Sequence, residues 1–204
     1  MLRRLVGSEM CIRDSLNKES ITHPEVGLEG MVVTQHYLAS EVGEAILNKG
    51  GNAYDATIAV AFALAVVLPR AGNIGGGGFT VLYNSSDKSF RSLDYREKAP
   101  LAASKNMYLD KNGDVIRNLS TLGYKAIAVP GTIDGMWELH KKYGSMDWRE
   151  LILPSIKLAK EGFKVSPLMA DTLNRNYKSL SKFSETEKIF FQEYPVKFDS
   201  ILIP

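Results

Sequence analysis

Arg96 lies between two carboxylates and is the residue of this chain best suited to bind a small acidic molecule. Asp94, Arg96 and Glu97 fall in the segment Asp-Tyr-Arg-Glu-Lys-Ala-Pro, directly after a pattern typical of a β-strand. A guanidinium is permanently charged, and its planar fork of donors matches a carboxylate in a bidentate manner. Arg96 could therefore bind a substrate carboxylate, with Asp94 on the same strand face to orient it. The alternative is an internal ion pair with Asp94 or Glu97.

Four consecutive glycines, Gly75, Gly76, Gly77 and Gly78, precede the strand that begins at Phe79. They do not form a phosphate-binding loop, because neither G-x-G-x-x-G nor G-x-x-x-x-G-K-[ST] is present and a strand, not a helix, follows. A flexible loop is the simplest alternative. However, four glycines at the entry to a hairpin cost much backbone entropy. We therefore expect them to allow close backbone packing below the wall of a cavity.

Composition excludes several classes of function. The 204 residues carry a net charge of +2, which gives no indication of nucleic acid or an anionic membrane as a partner. Cys11 is the only cysteine, so an internal disulfide and a cysteine-based metal site are excluded. The histidines show no H-x-x-H pattern, so we expect no metal and no cofactor. A Thr34–His36 pair leaves open a small hydrolase that uses Thr34 or a serine.

The periodicity of apolar residues predicts mixed α and β structure in segregated layers, that is, an α+β fold. The longest apolar run, Ile58 to Leu68, is too short to span a bilayer and predicts a buried helix. From Ser184 onward the pattern fades. The predicted strands are 30–34, 79–83 and 90–95. Five helices are predicted. The first is capped by Ser40 and ends at Gly50, and the second spans 56–68 behind an Asn52–Asp55 capping box. The third is capped by Thr132 and ends at Gly144, the fourth is capped by Asp147 and is kinked or restarted at Pro154, and the fifth opens at Ser166–Pro167.

The first residues are expected to lie outside the fold. Residues 1–15 begin like a basic leader but continue with neither an apolar core nor a cleavage site. We interpret 1–15 as an artefactual or disordered N-terminus and 16–29 as a lead-in loop. Residues 30–204 then form one partial domain.

Several blocks of sequence, taken together and in order, resemble the large subunit of the γ-glutamyltranspeptidases, which are also called glutathione hydrolases. The resemblance covers about residues 27–195. Each block alone is weak evidence, but their order is specific. The matching blocks are 30–40, 50–56, 72–79, 94–100, 129–132, 143–144 and 158–163.

This resemblance implies the fold and the chemistry of the N-terminal nucleophile hydrolases. The fold is an αββα sandwich, here incomplete, formed by a precursor that cuts itself into two subunits. The N-terminal threonine of the small subunit attacks the γ-glutamyl amide, and the acyl-enzyme passes the glutamyl group to water or an amino acid. Arg96 occupies the position that binds the α-carboxylate of the substrate. Asp94, Glu97 and the glycines at 75–78 would support it.

The chain departs from the family in one respect. No T-T-H-[YF]-S-like sequence is present, and Thr34-Gln35-His36-Tyr37 is only superficially similar. We therefore expect an N-terminal fragment that is inactive alone and has the small-subunit half of its precursor as a partner. The expected substrates are glutathione and other γ-glutamyl compounds, and the expected location is periplasmic or extracellular. The alternative is a non-catalytic relative that binds carboxylates or amino acids.

Overall fold

The computed structural model describes residues 26–72 and 74–204, so the interpretations of 1–15 and 16–25 lie outside the described residues. The described chain divides into two compact units. Unit 1 contains residues 26–72 and 143–204, and unit 2 contains residues 74–142.

Helices and strands both occur in the described residues, as the predicted α+β class requires. Strands β1 and β2 form an antiparallel hairpin with Phe79 opposite Asp94, and β3 pairs antiparallel with β4. The helices are α1 (Tyr37–Asn48), α2 (Ala53–Val67), α3 (Thr132–Tyr143), α4 (Trp148–Glu161), α5 (Pro167–Leu180) and α6 (Ser184–Phe190). The strands are β1 (Phe79–Asn84), β2 (Ser89–Asp94), β3 (Phe163–Lys164) and β4 (Ile201–Leu202).

Helix α2 forms the centre of unit 1. It is apolar on nearly every face, and it packs against both α1 and α4. Ile58, Ala59 and Ala63 are fully buried, as predicted for this segment. Among the described residues, no helix is long and apolar enough to cross a membrane. A second group of buried side chains joins α2 to β3, β4 and α5: Ala63, Val67, Phe163, Val165, Ala170, Leu173 and Leu202.

Asp55 attaches a distant loop to the start of α2. The predicted capping box is present, since Asn52 Oδ1 accepts from the N–H of Asp55 while Asp55 Oδ2 accepts from the N–H of Asn52. The same buried carboxylate accepts from Ser145 Oγ at 2.5 Å and from the N–H groups of Ser145 and Met146. Burial alone would raise the pKa of Asp55, but these hydrogen bonds hold it below its usual value.

Residues 30–34 do not form the predicted strand. This segment lies along α1 instead: Thr34 Oγ1 is 2.9 Å from Ser40 Oγ, and a Cβ atom added to Gly43 would lie 2.8 Å from Val32 Cγ1. Ser40 is therefore buried inside α1 and does not cap it; His36 is the N-cap. The packing partner of this segment is therefore a helix and not a neighbouring strand.

Three other helix predictions need correction. Pro154 lies inside α4 without ending it. Thr132 is the first residue of α3 and not its cap. Helix α6 occurs where the apolar pattern fades, and its N-cap, Phe183, makes no side-chain capping bond, so the usual start signal is missing.

We expect Asp55→Asn to destabilise the fold by about 2–3 kcal/mol, because an amide nitrogen would then face backbone donors in a buried site. The folded-state pKa of Asp55 is depressed, so its contribution is complete above the unfolded value of 3.8 and is lost as the pH falls through the folded value. Thermal unfolding of the 204-residue chain between pH 7 and pH 3 measures this effect. Asp147→Asn is the matched control, because Asp147 is an exposed N-cap and asparagine caps equally well. Equal shifts for both variants would contradict this assignment.

Candidate functional site

The segment that carries Arg96 continues the β-hairpin beside the glycine run. Tyr95 N–H donates to Gly78 O at 3.0 Å, and Gly78 N–H donates to Tyr95 O at 3.4 Å. The antiparallel pairing of β1 and β2 therefore extends by one residue pair beyond the strands. This pairing fixes where Arg96 leaves the hairpin.

The other side of the same segment is held by the residues that lead into α3. Lys98 and Val129 exchange both backbone hydrogen bonds, at 3.1 and 2.8 Å. Gly76 O accepts from the N–H groups of Gly131 and Thr132, at 2.8 and 3.1 Å. Residues 95–98 thus lie between the glycine run and residues 129–131, within unit 2.

Two of the four predicted glycines pack closely against this segment. A Cβ atom on Gly77 would collide with Tyr95 O and would lie 2.8 Å from Glu97 N. A Cβ atom on Gly78 would lie 3.1 Å from Tyr95 Cε2. Gly76 is buried and its carbonyl joins the glycine run to Gly131 and Thr132, whereas Gly75 is exposed. The run therefore acts through close backbone packing at Gly76, Gly77 and Gly78.

Arg96 is ion-paired yet accessible. Its Nε lies 3.2 Å from Glu97 Oε2, and 57% of its side chain remains exposed. Its guanidinium carbon lies 5.9 Å from the centre of the Phe79 ring. Asp94 does not contact the guanidinium; its Oδ1 accepts from the backbone N–H of Arg96 at 3.0 Å. The pair is exposed on the Arg96 side and mostly buried on the Glu97 side, so the exposed part of the guanidinium can receive a second carboxylate while Glu97 stays paired.

Thr34 and His36 do not form a nucleophile and base. Thr34 Oγ1 donates to His36 O at 2.7 Å and contacts Ser40 Oγ, while His36 Nδ1 accepts from the N–H of Leu38. Because Nδ1 is an acceptor, the neutral imidazole carries its proton on Nε2. Burial lowers the pKa of His36 to about 4. His36 is therefore the neutral cap of α1.

A cleft of about 690 Å³ lies within unit 1, between the C-terminal end of α2 and α5. Its wall is largely apolar and includes His36, Arg70 and Asn176. Neither Arg96 nor the glycine run lines it. Among the described residues, no cluster of three or more histidine, cysteine, aspartate or glutamate side chains could hold a metal ion.

Sequence reasoning missed three residues of the Arg96 site: Tyr95, Gly131 and Gly135. A Cβ atom on Gly131 would collide with Tyr95 O, and one on Gly135 would collide with Tyr95 Cγ. The available signal was a pair of glycines four residues apart at the start of a predicted helix, an unfavourable position for glycine unless another group approaches closely.

Comparison with known proteins gives a consistent set of relatives. The family model described as Gamma-glutamyltranspeptidase matches residues 39–201. The glutathione hydrolase proenzyme of Pseudomonas sp. (strain A14) is 51% identical over 168 residues, which cover 81% of this chain and 29% of that protein. The corresponding proenzyme of Bacillus subtilis (strain 168) is 41% identical over 181 residues, which cover 88% of this chain and 31% of that protein.

Solved structures agree with the sequence comparison. Helicobacter pylori gamma-glutamyltranspeptidase superposes with a TM-score of 0.82 at 45% identity, over 88% of this chain and 51% of that chain. Cephalosporin acylase from Bacillus halodurans gives a TM-score of 0.66 at 25% identity, over 81% of this chain and 31% of that chain. These likenesses confirm the predicted fold class, the α+β fold of the N-terminal nucleophile hydrolases. The chain spans about a third or less of the length of the curated relatives it matches.

We expect the stability of unit 1 to depend on pH through His36. The folded-state pKa of about 4 is below the ordinary value of 6.5, so this contribution is complete above pH 6.5 and is lost as the pH falls toward 4. The full difference is on the order of 3 kcal/mol. His36→Asn keeps a capping side chain but should flatten this pH dependence in thermal unfolding. An unchanged slope in His36→Asn would assign the dependence to other groups.

Proposed function

Because the chain belongs to the γ-glutamyltranspeptidase family, we propose that it forms part of the large subunit of a glutathione hydrolase. The complete enzyme would cleave γ-glutamyl amides, including glutathione, and transfer the glutamyl group to water or to an amino acid. The curated relatives are proenzymes with longer chains, which supports a self-cleaving precursor. The non-catalytic alternative is not favoured, because these relatives are named as hydrolases.

The proposed reaction divides the work between the two subunits. A threonine hydroxyl of the small subunit attacks the carbonyl carbon of the γ-amide, and the amine leaves. The resulting acyl-enzyme then passes its glutamyl group to water or to an amine acceptor. This chain contributes substrate binding through Arg96, which pairs with the α-carboxylate of the donor. Binding far from the reacting carbon orients the amide for attack.

The accessible guanidinium of Arg96 carries this assignment. It projects from a segment whose backbone is bonded on both sides, and Glu97 pairs with it at Nε. Arginine also suits the task better than lysine, because its fork can engage two carboxylates in one plane. Asp94, which fixes the Arg96 N–H, and the glycines of the run are proposed as its supports.

The small-subunit half is the proposed partner of the β1–β2 hairpin. Phe79, Val81, Tyr83 and Phe90 lie on one face of this hairpin and are all more than half exposed. An apolar face of this kind indicates a protein interface. We further propose that the enzyme acts in the periplasm or outside the cell.

We expect the 204-residue chain alone to be inactive toward γ-glutamyl amides and to bind a hydrophobic dye through the hairpin face. The double variant Val81→Thr, Phe90→Thr should bind less dye while keeping β propensity. A completed enzyme, in which this chain replaces the matching segment of the Pseudomonas sp. (strain A14) proenzyme, should cleave itself and release glutamate from glutathione. Turnover by the isolated chain, or a completed enzyme that matures yet stays inactive, would refute the proposal.

In the completed enzyme, we expect Arg96→Ala to cost about 2–5 kcal/mol of transition-state stabilisation, because one partner of a desolvated charge pair is lost. Arg96→Lys should also weaken the donor interaction, since it keeps the charge but loses the fork. The ratio of kcat/KM for donors with and without an α-carboxylate measures this.

Self-cleavage should survive the loss of Arg96, because that step uses no glutamate. The matched control is Arg91→Ala, since Arg91 is an exposed arginine on the same hairpin that pairs with Asp87 at 2.8 Å. It should leave the donor ratio unchanged. If Arg96→Ala matures normally and treats both donors alike, the carboxylate assignment is wrong; if it remains unprocessed, Arg96 is a structural ion-pair residue.

A further inference from the structure

We propose that Tyr95 is the positioning residue of Arg96, held in a slot whose walls are Gly78, Gly131 and Gly135. This inference rests on the proposed function, in which Arg96 binds the α-carboxylate of the donor. It adds a specific mechanical role for a residue that does not itself touch that carboxylate.

The side chain of Tyr95 is enclosed by glycines from two directions. A Cβ atom on Gly135, in α3, would collide with Tyr95 Cγ and would lie 2.6 Å from its Cβ and 2.7 Å from its Cδ1. A Cβ atom on Gly78 would lie 3.1 to 3.3 Å from Cε2, Oη and Cζ at the far end of the ring. The helix therefore contacts the base of the ring and the glycine run contacts its tip.

The backbone of Tyr95 is fixed at the same place. Both its N–H and its C=O bond to Gly78, and a Cβ atom on Gly131 would collide with its carbonyl oxygen. A ring and a peptide group held together leave little freedom for the chain to rotate before Arg96. The direction in which the Arg96 side chain leaves the backbone is thus set by Tyr95.

Arg96 needs this constraint because little else restrains it. Its guanidinium is largely exposed and pairs only with the adjacent Glu97 among the described charged groups. A long, exposed side chain explores many rotamers. The backbone of Arg96 must therefore be placed accurately for the guanidinium to meet a carboxylate. The ring of Tyr95, and not its hydroxyl, supplies this placement, because the hydroxyl has one long contact, 3.3 Å from Thr80 Oγ1.

The experiment measures kcat/KM of the completed, self-cleaved enzyme for two γ-glutamyl-type donors, one with and one without the α-carboxylate. Tyr95→Ala should lower kcat/KM for the carboxylate donor about 10–100-fold, the scale of a small misplacement of a binding group. The same change in an Arg96→Ala background should cost little further, because the two residues act in series. Tyr95→Phe should behave like the wild type.

Gly135→Ala tests the slot without changing the tyrosine at position 95. Alanine is a better helix former than glycine, so any loss must come from the collision with the ring. We expect the same donor-specific loss as in Tyr95→Ala. Gly30→Ala is the matched control, because a Cβ atom there would lie 3.4 Å from Leu47 Cδ1, an ordinary contact. It should leave both donors unaffected.

Several outcomes would overturn the inference. Equal losses for both donors, or an equal cost of Tyr95→Ala with and without Arg96, would give Tyr95 a general structural role. If Tyr95→Ala fails to mature, Tyr95→Leu and Gly135→Ala decide, and failure of all three to mature would also make the role structural. If Arg96→Ala itself shows no donor preference, the proposed site of carboxylate binding fails, whatever Tyr95 does.

Discussion

Close approach of three backbone segments is the constraint on which the Arg96 site depends. Residues 76–78, 95–98 and 129–131 exchange hydrogen bonds across gaps that admit no Cβ atom at Gly77 or Gly131. Glycines that are more than fifty residues apart in sequence therefore serve one purpose. Because these glycines have no side chains, backbone hydrogen bonds can join the hairpin, the segment that carries Arg96 and the start of α3.

This arrangement has an entropic cost when the chain folds. Each glycine loses more backbone entropy on folding than an alanine would, at a cost of roughly 0.5–1 kcal/mol, and the run contains four glycines. The hydrogen bonds made by Gly76 and Gly78 offset part of this cost. A less demanding sequence could form a hairpin of the same length. The glycines are thus better explained by the accurate placement of residues 95–97 than by stability.

Asp55 shows that a buried, perturbed acid need not be catalytic. Its carboxylate is enclosed by backbone N–H groups and one hydroxyl, which hold its pKa down and join residues 143–146 to α2. Arg96 has the opposite character, because it is exposed and only partly satisfied. Asp55, the structural charge, is thus fully hydrogen-bonded within the fold, whereas Arg96, the candidate binding charge, still has N–H donors that could pair with a ligand.

Several signals that act within a few residues were read correctly from the sequence, although the Ser40 and Thr132 caps were not. The Asn52–Asp55 capping box, the Ser166–Pro167 helix start and the β1–β2 hairpin each depend on neighbours in the chain. The missed features depend on packing that no local pattern specifies: residues 30–34 pack on α1, and Tyr95 is enclosed by Gly131 and Gly135.

The pairing of Arg96 with Glu97 explains why the arginine site needs a fork and not a point charge. Glu97 is about three-quarters buried and stays close to the Nε side of the guanidinium. A second carboxylate can bind only if the cation offers donors in another direction, and the five N–H groups of a guanidinium do so. An ammonium group has three donors on one atom but no planar fork, so beside Glu97 it would lose the bidentate geometry toward a second carboxylate. On the proposed assignment, an arginine at position 96 can keep Glu97 paired and still receive a carboxylate in a bidentate manner, and Tyr95 is the residue proposed to position it.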